Sequence, residues 1–378
     1  MANPAVVEAT RGERIESAHR GAGAVVNADG EVVMAFGDAG RAVYPRSAVK
    51  ALQALPLVES GAAGRLGLSD KEIALACASH SGGEDHVATA RSMLAKAGYD
   101  ERVLECGAHW PLGETEARAL ARSGRTPTAV HNNCSGKHAG FVCWCSAMGV
   151  EPKGYVAPDH AVQREVRAAI AAMTGASLSE EMRGVDGCSI PTYAIPLTAL
   201  ARGFARLGTG AGLAPARSNA AARIRACVAA HPATVAGKGR FDTEMMSLVG
   251  ARAFVKSGAE GVICAALPEA GLGLAVKADD GAGRAAQVMI AALILRFCGF
   301  DDGTAARLTR FVSPRLLNWN GVEIGRLRPA ARWRDPRRHE RRADATRLDD
   351  SHAREPRLPC GRVLRARGRP LRRHRPVD

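Results

Sequence analysis

The chain has 378 residues, 46% of them hydrophobic, and a formal net charge of +14. That is apolar material enough for one large domain with a full core, and no run of about 18 apolar residues offers a membrane span. The basic excess sits at the end, where residues 330–378 hold 16 Arg against 7 acids, so the charge argues for a basic tail and against a body built to bind nucleic acid.

In chain order, Ala22–Gly37 reads as a hairpin, with two Val-rich runs flanking the turn Asn27-Ala28-Asp29-Gly30. A helix is expected from Pro45 to about Ser60, with apolar residues at Val49, Leu52, Leu55 and Leu57. Ser69-Asp70-Lys71-Glu72 has the spacing of a capping box that opens the next helix. Glu84–Lys96 predicts a third helix, stopped by Gly98, and Cys134–Met148 is apolar almost all round, as in a buried helix. Val162–Met173, Pro196–Leu207 and Ala216–Ala230 continue the helical body. Gly261–Leu267 and Gly271–Lys277 form a second hairpin around Pro268-Glu269-Ala270. An apolar helix, Arg284–Cys298, and a short strand, Asn320–Arg328, follow. This order fits an α+β fold, a mostly antiparallel sheet with helices packed on it. The catalytic domain is expected to span 1–329, with 330–378 as an Arg/Pro-rich tail too poor in apolar residues to fold.

The ten cysteines lie far apart, mostly inside apolar runs such as Ile73–Ala78. Disulfide frameworks belong to small, loop-rich secreted chains. The first twenty residues carry no secretory h-region. Reduced, buried thiols and a cytoplasmic location are therefore expected.

Four segments carry chemistry. In Arg46-Ser47-Ala48-Val49-Lys50 the serine and lysine are three apart, on one helix face, where a neutral amine could take a hydroxyl proton. Ser-x-x-Lys is the acyl-serine motif of β-lactamases and penicillin-binding proteins, although the bare pattern occurs by chance in most long chains. Lys256-Ser257-Gly258 matches the K-[ST]-G element that those enzymes set on a strand facing the serine. Cys77-Ala78-Ser79-His80-Ser81-Gly82-Gly83 suits a substrate cradle, with Ser79 as a second hydroxyl, or a simple helix end capped by Gly82. The fourth is His131-Asn132-Asn133-Cys134-Ser135-Gly136-Lys137-His138 together with Gly187-Cys188-Ser189. Cys134 and His138 have a chelating separation and Cys188 could close a zinc site, or the thiols are simply buried.

These residues sit in longer runs: YPRSAVKALQALPLVESGAA, ALACASHSGGEDHVATA, HNNCSGKHAGFV, GVDGCSIPTYAIPL, KSGAEGVICAALPEAGLGLAVKADDG and SPRLLNWNGVEIGRLR. In sequence and in order they resemble the thermolabile, Rhizobium-type L-asparaginase II family, over roughly residues 20–328. The resemblance implies a fold like the serine β-lactamases and glutaminases, and hydrolysis of L-asparagine to L-aspartate and ammonia. It implies two Ser–Lys tandems, Ser47 with Lys50 and Ser79 with Lys256, and a zinc held by Cys134, Lys137 and Cys188. Arg46, Asp186 and His138 would line the substrate pocket, and a homodimer is implied. The chain departs from the family in its tail, whose composition resembles GC-rich DNA read in a shifted frame. Such a tail would bind nucleic acid only non-specifically. A glutaminase or other amidase on the same scaffold, or an inactive frameshifted member, are the alternatives.

Overall fold

The computed structural model describes residues 2–331. The tail, with the expectations of disorder and weak polyanion binding placed on it, lies outside the described residues from position 332 on.

Among the described residues twelve strands occur: β1 (Ala5–Arg11), β2 (Arg14–Asn27), β3 (Val32–Phe36), β4 (Ala42–Val43), β5 (Arg183–Val185), β6 (Pro191–Tyr193), β7 (Ile195–Pro196), β8 (Phe254–Ser257), β9 (Val262–Leu267), β10 (Leu272–Ala278), β11 (Arg315–Leu317) and β12 (Glu323–Pro329). Eight form one antiparallel sheet in the order β11-β12-β1-β2-β10-β9-β8, with β3 also paired to β2. The long β2 is shared. Its first half pairs with β1, Ala18 opposite Glu8, and its second half with β10, Ala22 opposite Lys277. The α+β architecture is the one expected.

Both predicted hairpins form. In the first, the Asn27 side-chain oxygen accepts from the N–H groups of Asp29, Gly30 and Glu31, and Gly30 takes φ +102°, which only glycine adopts freely. In the second, Gly271 N–H closes the turn onto the Pro268 carbonyl. β9 is buried at all six positions, which requires cover on both faces of the sheet. Helix Leu197–Thr209 lies on β2, β9 and β10, and helix Gly283–Phe297 on β9, β10 and β12. The first approaches so closely that a Cβ on Gly273 would stand 1.9 Å from the Ala201 carbonyl.

The helical body also follows the periodicity. The Ser69–Glu72 capping box is complete, Glu84–Lys96 is helical over the predicted span, and Ser135–Met148 is buried from Ser135 through Cys145. The expected helix over 45–60 is instead broken into a 3-10 turn, Arg46–Val49, and short helices Lys50–Gln53 and Leu55–Glu59. Pro56 sits in the first turn of the last piece, where its missing N–H is harmless, and it cannot continue a longer helix. The sequence reading missed β1, the first half of β2, and helices Glu114–Arg122, Phe241–Val249 and Asp302–Val312. The final strand begins at Glu323 and not Asn320, because the Asn318 side chain accepts from Asn320 and Val322 N–H and holds a turn there. Among the described residues nine cysteines are free and buried. No helix among the described residues is long and apolar enough to cross a membrane.

Candidate active site

The turn Arg46–Val49 carries Ser47, half-buried, between β4 and the helical body. Arg46 has φ +51°, a left-handed conformation that a non-glycine residue holds at about 1–3 kcal/mol. That strain sets the direction of the next residue, Ser47. Facing the turn is the end of β8. A Cβ on Gly258 would lie 2.6 Å from the Pro45 carbonyl and 3.0 Å from Ala48 N. The K-S-G strand therefore touches the serine turn through its glycine, as the motif requires.

Lys50 is fully buried. Its Nζ donates to the Ala78 carbonyl at 2.6 Å, to the Asn133 carbonyl at 3.4 Å and to Cys134 Sγ at 3.1 Å. Among the described residues no hydrogen bond joins it to the Ser47 hydroxyl. Catalytic contacts are often loose before substrate binds. The neighbouring Cys188 side chain, with the Lys50 and Lys137 charges, holds the Cys134 thiol well below its ordinary value despite burial. Cys134 and burial push the Cys188 thiol up. Lys137 Nζ donates to Cys188 Sγ at 2.9 Å. Burial works against the Lys137 charge, but Cys188, Cys134 and Asp186 outweigh it and raise its pKa.

Two sulfurs and one amine thus converge from helix Ser135–Met148 and the loop 186–190. Among the described residues no group of three His, Cys, Asp or Glu could hold a metal. The Cys134–Lys137–Cys188 set is of another composition, and its two thiols suit a soft ion such as zinc, provided Lys137 gives up its proton.

Beside this set Arg46 Nε meets Asp186 Oδ1 at 2.7 Å, with side chains 29% and 11% exposed. Burial opposes the Asp186 charge, yet Lys137, Arg46 and the Gly187 N–H hold the carboxyl below its usual range. Arg46 uses only Nε there; among the described residues no hydrogen bond occupies its two Nη groups.

Ser79 is 8% exposed and its hydroxyl is buried without a partner among the described residues. Next to it His80 is fully buried and held neutral by burial and by the surrounding His and Lys charges. Gly82 N–H donates to His80 Nδ1, so the ring proton is on Nε2 and donates to Ser135 Oγ at 3.0 Å. Lys256, on β8, is fully buried, and burial lowers its pKa to about 8. Its Nζ donates to the Ser257 carbonyl at 2.7 Å and stands 3.4 Å from Asp242 Oδ2. His138 is fully buried and turned to Tyr155. The Tyr155 hydroxyl accepts from Glu105 N–H and donates to His138 Nδ1 at 2.7 Å, which leaves Nε2 without a partner among the described residues.

The model of the family described as L-asparaginase II matches residues 7–329. The chain belongs to the L-asparaginase II family. Membership places it among the amidohydrolases. A search of curated proteins found no match. Two solved structures resemble it weakly. One, described as Mglu in its Tris and glutamate form, is 18% identical with a TM-score of 0.31, over 75% of this chain and 61% of that one. The other, an LovD6 mutant of simvastatin synthase from Aspergillus terreus, is 11% identical with a TM-score of 0.33, over 77% and 90%. The chain spans 61% of the length of the first. At such TM-scores the likeness carries no argument about this L-asparaginase II member.

Of the residues singled out from the sequence, the fold joins Arg46 to Asp186, Lys50 to Cys134, and Lys137 to Cys188. It brings Gly258 onto the Ser47 turn. It does not join His138 to Arg46 or Asp186 by any hydrogen bond among the described residues. A cavity of about 330 Å³, lined by Arg225, Met246, Phe254 and Pro268 among others, contains none of these residues. Asp242, His80 and Ser135 escaped sequence reading. His80 and Ser135 lie inside quoted segments, and only the fold reveals their bond. Asp242 opens a helix that the periodicity did not reveal.

Proposed function

We propose that this protein hydrolyses L-asparagine to L-aspartate and ammonia through a serine acyl-enzyme. The observation that carries this reading is the meeting of the Ser47 turn, the buried Lys50 and the K-S-G strand in one place, within a chain matched by the L-asparaginase II family over residues 7–329. Arg46 Nη groups bind the substrate α-carboxylate and Asp186 its ammonium, which fixes the side-chain amide over Ser47. Lys50, in its neutral form, takes the Ser47 proton, and Oγ attacks the amide carbon. Backbone N–H groups hold the oxyanion. Ser79 and Lys256 deliver the proton with which ammonia leaves. Water then attacks the ester, its proton returning through the same lysines.

Cys134, Lys137 and Cys188 are the residues that would hold a zinc ion. When bound, the ion supplies a fixed positive charge that orients the substrate. The reading extends to a cytoplasmic homodimer, with molar mass in solution as its check.

The test is ammonia release from L-asparagine and L-glutamine, measured side by side, by purified protein and by Ser47→Ala. Release from asparagine that falls by about a hundredfold or more in the variant is expected. Full activity in the variant moves the nucleophile elsewhere. Preference for glutamine keeps the chemistry and changes the substrate, since pockets separate such homologues only modestly.

A further inference from the structure

Among the described residues β8 is an edge strand, paired on one side only, to β9. An edge strand has outward N–H groups that need a partner. At Ser257 that partner is a side chain from elsewhere. Asp242, 3% exposed in the first turn of helix Phe241–Val249, accepts from Ser257 N–H on Oδ2 at 2.9 Å and from the Ser257 hydroxyl on Oδ1. The same Oδ2 stands 3.4 Å from Lys256 Nζ. One carboxylate therefore grips two successive residues whose side chains alternate across a strand. The following residue, Gly258, abuts the Ser47 turn.

We propose that Asp242 is the positioning residue of the Lys256-Ser257-Gly258 strand: it fixes where the Lys256 amine sits and supplies the negative charge beside it. The inference rests on the reading of Lys256 as a proton carrier. It adds a residue that touches no substrate but acts through the lysine. Lys256 is faced by the charges of Asp242, Lys50 and Arg240, and by the thiols of Cys77 and Cys264. Burial, Lys50 and Arg240 favour the neutral amine; Asp242 alone of these opposes them. Removing its charge without changing its shape should therefore make Lys256 easier to deprotonate.

The sign for stability follows. A lysine lowered to about 8 in the fold, against about 10.4 unfolded, penalises the native state at neutral pH, and the penalty lifts as pH rises above 8. Asp242 offsets part of that penalty only while Lys256 is charged.

The experiment uses Asp242→Asn, Lys256→Met and the double variant of the full chain. Thermal midpoints at about pH 7 and about pH 9.5 are expected to show a larger loss for Asp242→Asn at the lower pH, and a loss independent of pH once Lys256 is Met. In kcat/KM for L-asparagine, the alkaline limb of the Asp242→Asn profile, where Lys256 loses the proton it delivers, should move down by roughly one pH unit, with kcat reduced about tenfold or more and KM within about threefold. Equal losses at both pH values with either residue at 256, and an unmoved limb, would overturn the proposal. If Asp242→Asn does not fold, folding restored in the double variant supports the pairing, because a buried charge left alone is worse than none; failure of both variants counts against it. If the unsubstituted protein cleaves neither amide, the role of Lys256 in catalysis falls, while the thermal midpoints still decide whether Asp242 governs its charge.

Discussion

At the scale of single residues the molecule concentrates buried charge. Lys50, Lys137 and Lys256 all rank among its largest fully buried side chains. An unpaired buried ammonium is costly, and here each has an acceptor: Cys134 for Lys50, Cys188 for Lys137, Asp242 for Lys256. The pairing of Lys137 with a thiol bears on metal. A zinc ion entering this set must displace the protons now held by Cys188 and Lys137. Zinc binding to metal-stripped protein should therefore release protons, visible as buffer-dependent heat in calorimetry. Cys188→Ala should hold zinc at least about tenfold more weakly. Retention of one zinc per chain in that variant would remove Cys188 from the set. These residues were legible because their motifs are local: Ser47 and Lys50 share one turn, and Cys134 and Lys137 share another. Their partners were not, since the Arg46–Asp186 and Lys256–Asp242 pairs are made by the fold and leave no spacing to read.

At the scale of elements, function depends on a strand pressed against a turn. Gly258 leaves no room for a methyl group, and both neighbours are backbone, which cannot rotate away. Gly258→Ala should push β8 from the Ser47 turn, lower stability by about 1–3 kcal/mol and reduce kcat by roughly tenfold or more. Denaturant melts and steady-state rates read the two effects separately. A variant with unchanged kcat would mean that this contact does not align the site. Helices with strong signals were read well: the Ser69 capping box and the Glu84–Lys96 helix stand where the residues put them. What escaped was either polar or dominated by its partners. β1 is buried at five successive positions and carries Glu8 among them, and the outer half of β2 is exposed from Arg14 to Ala18, so neither shows a buried alternation. Helix Glu114–Arg122 buries only Leu120.

At the scale of the whole molecule the first strand and the last are neighbours: β1 lies between β12 and β2, with Val7 opposite Pro329. Removing the chain after residue 331 spares β12 and should leave amide hydrolysis within about twofold, while retention on heparin falls with the lost arginines. A cut before Glu323 removes β12 and exposes the edge of β1, so insoluble protein is expected. Activity lost with the shorter cut would give the tail a part in the fold. The same closure orders events during synthesis. β1 and the outer half of β2 emerge first, yet β1 gains its second partner only when residue 329 has left the ribosome, and Gly23 waits for Val276. For most of translation the nascent chain holds an open sheet edge that it cannot yet satisfy. Contacts of such long sequence separation make folding slow and expose it to aggregation. Yield in a cell should thus track chaperone supply more closely than the melting temperature of the finished protein.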